Sequence, residues 1–531
     1  GVGELGLGYG FRSMVPHYLE HAGGTKADAV ELINRIGKDL PEWTEDSFAG
    51  LLLNVVAGRV ANRFDFGGAN YIVDAACATS LAAVRLSVTE LETGCADMVV
   101  TAAADAMQSP FAYLCFSKTQ ALSPTGTPRT FDENADGIVI SEGYAVAILK
   151  RLEDAILDGD KIYAVIKGVG ASSDGRDKGL TAPRPIGQIR ALDRAYQKAG
   201  FDPATVGLIE AHGTGTVVGD RTEVESVTTF FKRSGAQRHS IALGSVKSMI
   251  GHTKCTAGMA GLVKAAMALR HKVLPPTINV TTPNSKANFP ESPLYLNTET
   301  RPWFRRLDGQ PRRAGVSAFG FGGTNFHTVL EEYVPIEGGA EEESPLRDWP
   351  AELFLWRADS AGQILESIQQ IESALAEGAQ PLLCDLAAAV YWEQGRGNGL
   401  LCLAVVATSL EDLQEKLKAA KTAVEAGKDL KDPKGIYYTT ACKAEGKIAF
   451  AFPGQGSQSV NMMIDIALAF PTARATFEEA DAALGLRLGK QLTQFIYPTP
   501  RFSEEERKAD EAALRQTNVA QPALGAADIA M

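Results

Sequence analysis

The chain predicts an α/β fold with buried strands, and three observations carry that reading. Residues 1 to about 333 are dense in Gly, Ala and Val. Short strand-like runs alternate there with helix-like ones. No short tandem period appears, which excludes solenoids.

In chain order, "NYIVDAA" (70–76) is an apolar β-like approach and "LAAVRLSVTELETG" (81–94) a helix. "ADMVVTAAA" (96–104) and "KIYAVIKGVGASS" (161–173) are strands rich in small and β-branched residues. "PIGQIRALDRAYQKAG" (185–200) has helical spacing and closes on glycine. "VGLIEAHGTGT" (206–216) reads as a strand entering a Gly/Thr loop, and "GMAGLVKAAMALRHKV" (258–273) as a helix. Two halves are expected to echo each other, each placing a reactive residue where a strand ends.

Near residue 334 the composition shifts to the acidic, Pro- and Gly-containing "VPIEGGAEEESPLRDWP", a boundary signal. A smaller α/β segment follows, with helices at "AGQILESIQQIESALAEG" and "LEDLQEKLKAAKTAVEAG" and a strand at "LLCLAVVATS". "GKIAFAFPGQGSQ" (446–458) then reads as a strand running into a Gly-rich turn, leaving 86 residues for a third unit. The expected division is 1–333, 334–445 and 446–531.

Of the 531 residues, 45% are hydrophobic and 22% charged, the balance of a soluble globular protein. No apolar run is long enough to span a bilayer, and no basic-then-apolar leader opens the chain. A formal charge of −12 without a basic stripe argues against nucleic acid as a main partner. Seven scattered cysteines, with no Cys-x-x-Cys and no Cys/His cluster at metal-ligand spacing, point to reduced thiols, a cytoplasmic setting and no metal. A start at Gly1 and an end in the helix-like "ALGAADIAM" are expected of a segment of a longer polypeptide.

The chemistry starts at "VDAACATSL" (73–81). A cysteine at the first turn of a helix meets free N–H groups and partial positive charge, which stabilise a thiolate. Cysteine is also among the most buried residue types, so Cys77 alone is either a nucleophile or core packing. Two of the seven histidines stand in polar, Gly-rich surroundings: His212 in "EAHGTGTVVGDRTEVE" and His252 in "GSVKSMIGHTKCTAGMAG". Such positions project an imidazole into a site, where its near-neutral pKa suits proton transfer or hydrogen-bond donation. His327, on a strand-like segment, reads as structural.

The motifs "VDAACATSL", "EAHGTGT..GD..E", "GSVKS.IGHT..AG.AG" and "GVSAFGFGGTN", in this order over residues 50–333, resemble the β-ketoacyl synthase (ketosynthase) of type I polyketide and fatty acid synthases. "FAFPGQGSQ" resembles the opening of the acyltransferase that follows ketosynthases, and the region between resembles their linker. "FSKTQALSPTGTPRTFDENADGIVISEG", "TAPRPIGQIRAL" and "SPLYLNTETRPW" narrow the resemblance to iterative synthases of the polyunsaturated fatty acid, glycolipid and enediyne group.

The resemblance implies a thiolase-like fold of two α/β halves in five layers (αβαβα), usually a homodimer, with a small α/β linker domain and a partial acyltransferase. It implies decarboxylative Claisen condensation, an acyltransferase-class reaction. Cys77 would take an acyl chain from a carrier's phosphopantetheine thioester. His212 and His252 would donate hydrogen bonds to the malonyl thioester carbonyl as CO2 leaves. The carbanion would attack acyl-Cys77 and give a β-ketoacyl carrier.

Backbone N–H groups of Cys77 and Phe321 would form the oxyanion hole, with Phe321 also gating the thiol. Lys247 would order the site with Glu223 as its acidic partner and Asp220 nearby, and Asn325 would pin the gating loop. Thr214, Thr216 and Gly322 are the substrate-binding candidates, the threonines able to hydrogen-bond a pantetheine arm. Gly261 departs from stand-alone bacterial ketosynthases, which have glutamate there, and matches type I enzymes. No cofactor is expected to reside in this segment; acyl carrier domains and acyl and malonyl thioesters are the expected partners.

The family's ketosynthase opens with a strand and helices upstream of Gly1, and their loss should expose apolar surface. In the acyltransferase stretch Gln455 matches a residue beside the oxyanion hole, while the Gly-His-Ser-x-Gly serine would lie beyond Met531. Two rival readings differ in class. A non-catalytic scaffold, like the chain-length factors, would lack the cysteine; a thiolase would need a second catalytic cysteine, which "GFGGTNFH" does not offer.

Overall fold

The computed structural model describes residues 4–531 except 41, 177, 178, 180, 181, 336–348, 443–446 and 448. Contacts divide the chain into two compact units. One comprises Gly1–Glu341, Gln455–Ala467 and Thr472–Met531; the other comprises Glu342–Gly454 and Leu468–Pro471. Most of the boundary run 334–350, and four residues (443–446) at the second expected boundary, lie outside the described residues.

The first unit is built on a six-stranded sheet in the order Val165–Ser173, Thr324–Glu331, Arg313–Gly320, Leu208–Glu210, Ile241–Gly244, Leu294–Leu296. Thr324–Glu331 runs antiparallel to both of its neighbours; from Arg313–Gly320 onward the pairings are parallel. Every residue of Arg313–Gly320 and Ile241–Gly244 is buried, which explains their apolar and small character. Helices Pro185–Ala199 and Val217–Arg233 cover one face. Gly168 and Gly170 allow the first of these close contact: a Cβ at Gly170 would lie 2.1 Å from the Ala191 carbonyl oxygen.

On the other face lie helices Thr79–Glu92 and Ala257–His271, which also touch a second sheet, the antiparallel pair Met98–Asp105 and Gly143–Lys150. Leu81, Val84, Met259, Leu262, Val316 and Phe326 fill the space between, each contributing about 1.5–3 kcal/mol by burial. The layers thus run helix, sheet, helix, sheet. The outer face of the two-stranded sheet presents Tyr144, Val146 and Ile148, between 59% and 70% exposed. The two halves are therefore unequal among the described residues, with six strands against two.

Two expected strands are absent. Residues 70–75 form no ladder, and Tyr71 and Ile72 are half-exposed; a β-like composition makes no strand without a partner edge. The described part of "GKIAFAFPGQGSQ" is likewise irregular, with Phe450 and Phe452 exposed. The remaining runs form as read, including Pro185–Ala199, capped by Gly200 at φ 72°, and Ala257–His271. Helices Ile464–Ala469, Pro471–Leu484 and Thr517–Ala530 enclose a core around Phe477, Leu492, Tyr497 and Val519.

The second unit is an antiparallel sheet, Glu352–Ala358, Leu401–Ala407, Ile436–Thr439, Leu430–Asp432, packed on helices Ala361–Ala376 and Leu410–Ala426. Trp356, Phe354, Leu403 and Leu417 form its centre. Among the described residues no helix is long and apolar enough to cross a membrane.

Candidate active site

Cys77 sits in a 3-10 turn, Ala76–Ala78, that feeds helix Thr79–Glu92. Ala76 holds φ +50°, a left-handed conformation that L-residues adopt at a cost of order 1–3 kcal/mol. Local hydrogen bonds support it. Asp74 accepts from the Ala76 N–H at 2.9 Å, while the Thr79 hydroxyl accepts from Ala75 N–H at 2.9 Å and donates to the Ala76 carbonyl at 2.7 Å. Strand Arg313–Gly320 can approach this elbow because it ends in glycine: a Cβ at Gly320 would stand 2.3 Å from the Ala75 oxygen.

The backbone N–H groups of Phe321 and of Cys77 itself favour the ionised form of the Cys77 thiol. Burial pushes the Cys77 thiol up, while Lys247 and the two N–H groups pull it down and Asp105 adds to the rise. The resting group is therefore the thiol. Helix position favours the thiolate, but desolvation outweighs the favourable charges.

His212 and His252 come together with their ring centroids 5.5 Å apart at 86°. His252 Nδ1 accepts a hydrogen bond from the Lys254 N–H at 3.0 Å, so the proton of the neutral ring is on Nε2. His212 Nδ1 is buried without a hydrogen-bond partner among the described residues, and its ring packs 5.6 Å from that of Phe319. Burial, then the Lys247 charge, hold both imidazoles well below the ordinary histidine range. Both are neutral at pH 7, which suits donation rather than charge.

Carboxylates hold the His212 turn. Glu223 accepts from the N–H groups of His212 and Gly213, each at 2.7 Å. Asp220 accepts from Phe131 at 2.8 Å and from Thr214 and Gly215 at 3.0 Å each. Burial raises Glu223 to about 7 and Asp220 to about 6 despite these donors. Glu223 thus influences Lys247 through space while its hydrogen bonds go to the backbone. Lys247 itself is buried, and desolvation lowers its pKa against Glu210, Glu223, Cys77 and Asp220.

The other predicted residues fall around this centre. The Thr214 and Thr216 hydroxyls lie 3.0 Å apart and bond each other. Phe321 is 58% exposed at the tip between two strands, and Gly322 (φ +105°) and Gly323 (φ +80°) take backbone angles that only glycine adopts readily. Asn325 donates to Asp174 at 2.8 Å, and the Asp174 N–H donates to Gly323 O at 2.8 Å, which ties the loop down. Gln455 lies apart from this cluster and donates to Thr517 at 3.1 Å. His327 is buried in the sheet beside Ser317 at 2.9 Å and Tyr196 at 3.4 Å, a core position as read from the sequence.

Sequence reading missed Glu210 and Lys254. Glu210 is fully buried at the end of strand Leu208–Glu210 and accepts from Val246 N–H at 2.5 Å. A charged residue closing the apolar run "VGLIE" was the available signal. Lys254 pairs with Asp105 at 3.0 Å and donates to Ser141 O at 3.0 Å, bracing the His252 turn against the second sheet.

Residues 23–155 match the family described as beta-ketoacyl synthase, N-terminal domain, and residues 163–281 match beta-ketoacyl synthase, C-terminal domain. A polyunsaturated fatty acid synthase polypeptide of Thraustochytrium sp. is 38% identical over 99% of this chain and 20% of its own length. Lovastatin nonaketide synthase mokA of Monascus pilosus is 32% identical over 93% of this chain and 16% of its own length. The chain therefore spans about a fifth or less of these relatives. Among solved structures, the ketosynthase from module 6 of the bacillaene synthase of Bacillus subtilis 168 aligns at a TM-score of 0.53 with 33% identity. That match covers 72% of this chain and 66% of that one. The layered α/β core is accordingly of the thiolase-like, ketosynthase type. Cys77 falls within the N-terminal-domain match and His212 and His252 within the C-terminal-domain match, and the chain belongs to the β-ketoacyl synthase family.

Proposed function

We propose that this chain performs the condensing step of an iterative multidomain synthase of the polyunsaturated fatty acid type. Cys77 attacks the thioester of an acyl chain carried on phosphopantetheine. A new thioester forms at Cys77, and the proton lost from its thiol ends on the departing pantetheine sulfur. The N–H groups of Cys77 and Phe321 carry the negative charge of the tetrahedral oxygen. Malonyl carrier then enters, and His212 and His252 donate from Nε2 to its thioester carbonyl as the carboxylate leaves as CO2. The electron pair of the broken bond attacks acyl-Cys77, forming the carbon–carbon bond and breaking the thioester bond to Cys77, whose departing thiolate takes a proton from solvent to restore the thiol.

The observation that carries this reading is Lys247, the common electrostatic neighbour of Cys77, His212 and His252. Thr214, Thr216 and Gly322 line the approach of the pantetheine arm, and Asn325 steadies the gate at Phe321. Acyl carrier domains are the partners, the working form is a homodimer, and the setting is the cytoplasm. Residues 1–333 are the ketosynthase, 334–445 the linker and 446–531 the start of an acyltransferase, with Gln455 beside its oxyanion hole.

The test is decarboxylation of a malonyl carrier by the chain and by Cys77→Ala and His252→Ala. We expect Cys77→Ala to decarboxylate without condensing, and His252→Ala to lose about 10²–10³-fold in decarboxylation, as for loss of an oxyanion donor. Undiminished decarboxylation in His252→Ala would remove that histidine from the mechanism.

A further inference from the structure

Glu210 is 1% exposed, and the mechanism above leaves it without a role. It closes strand Leu208–Glu210, two residues before His212. One carboxylate oxygen accepts from the N–H of Val246, the residue before Lys247, at 2.5 Å. The other lies 2.9 Å from Lys264 Nζ, on helix Ala257–His271, which starts five residues beyond His252. A glycine makes the space: a Cβ at Gly261 would come within 3.0 Å of Glu210 Cγ. The strand that leads into His212, the turn of Lys247 and the helix that follows His252 thus meet at one carboxylate.

Its surroundings separate it from the other two buried acids. Glu223 and Asp220 spend their oxygens on the His212 turn, whereas Glu210 faces the Lys247 turn and a second lysine. Of the groups facing Lys247, namely Glu210, Glu223, Asp220 and Cys77, Glu210 does most to favour its charged form. Lys247 in turn does most to favour the Cys77 thiolate, against burial and Asp105. Lys264 shares the carboxylate and so limits its pull on Lys247.

We propose that Glu210, shared with Lys264, is a positioning residue that holds the Lys247 turn and through it sets the readiness of Cys77 to ionise. The proposal rests on Cys77 being the acyl-accepting nucleophile. It makes the two partners of the ion pair act in opposite directions. Without Glu210 the Lys247 ammonium loses its strongest support; without Lys264 that support is undivided.

The test is the pH dependence of Cys77 alkylation by iodoacetamide, read by peptide mass, in the full 531-residue chain and in Glu210→Gln and Lys264→Met. We expect the midpoint to rise by about one pH unit in Glu210→Gln, roughly tenfold slower alkylation near neutrality, and to fall in Lys264→Met. A purely structural prop would move both variants alike or leave both midpoints in place, and either result overturns the proposal. If Glu210→Gln does not fold, Lys264→Met decides: an unchanged or raised midpoint rejects the idea. Acyl transfer from octanoyl-pantetheine to the wild-type chain, seen by intact mass, reports separately on the nucleophile itself.

Discussion

A methyl group at Gly320 would meet the Ala75 carbonyl oxygen at 2.3 Å, so the approach of a buried strand to the cysteine elbow depends on one missing side chain. Gly320→Ala should cost about 1–3 kcal/mol, as overpacking does, and slow acylation of Cys77 by more than tenfold. Chemical denaturation and intact-mass acylation kinetics measure the two effects; unchanged acylation would mean the elbow does not depend on this contact. At this scale Cys77, His212 and His252 were legible, since their small-residue and Gly/Thr settings are local. Glu210 and Lys254 were not, because their partners Lys264, Val246 and Asp105 are distant in the chain. The balance at Cys77 was hidden for the same reason: helix position favours a thiolate, but desolvation is a property of the folded surroundings.

Helices were read well because amphipathic spacing and caps are short-range signals. Leu410–Ala426 shows both ends of this logic: Ser409 accepts from Asp412 N–H at 3.1 Å, and Gly427 closes it at φ 58°. Ser409→Ala should lower the stability of the second unit by about 1 kcal/mol, whereas Ser409→Asp should largely retain it. Urea unfolding followed by the fluorescence of buried Trp356 would measure this, and equal loss in both variants would remove the cap from the account. Strands were read less surely. "NYIVDAA" and "KIAFAF" have β composition, yet a ladder also needs a neighbouring edge, which composition does not encode.

Three deeply placed imidazoles, His212, His252 and His327, bias the molecule as a whole toward neutral pH. Burial lowers all three, His327 to about 3. The unfolded chain binds a proton near pH 6.5 while folded His327 does not until about 3, so stability falls as pH drops between those values. The slope approaches about 1.4 kcal/mol per pH unit for each such histidine. His327→Gln should flatten part of that slope and leave the profile above pH 7 unchanged. Comparing denaturant midpoints at pH 7 and pH 5 tests this, and an equal loss in both proteins would exclude His327 as a contributor.

Motif order along the chain was enough to identify the family and to single out Cys77 as the candidate nucleophile. Four short signals in register constrain a reaction whose participants stand at strand ends and turns, where sequence dictates backbone shape locally. The electrostatics of the site was another matter. Whether Cys77 rests as thiol or thiolate, whether the histidines are neutral, and which acid faces Lys247 depend on desolvation and on contacts across the sheet. Those terms follow distance in space rather than along the chain, and they appear only once strand Leu208–Glu210, the Lys247 turn and helix Ala257–His271 are packed together.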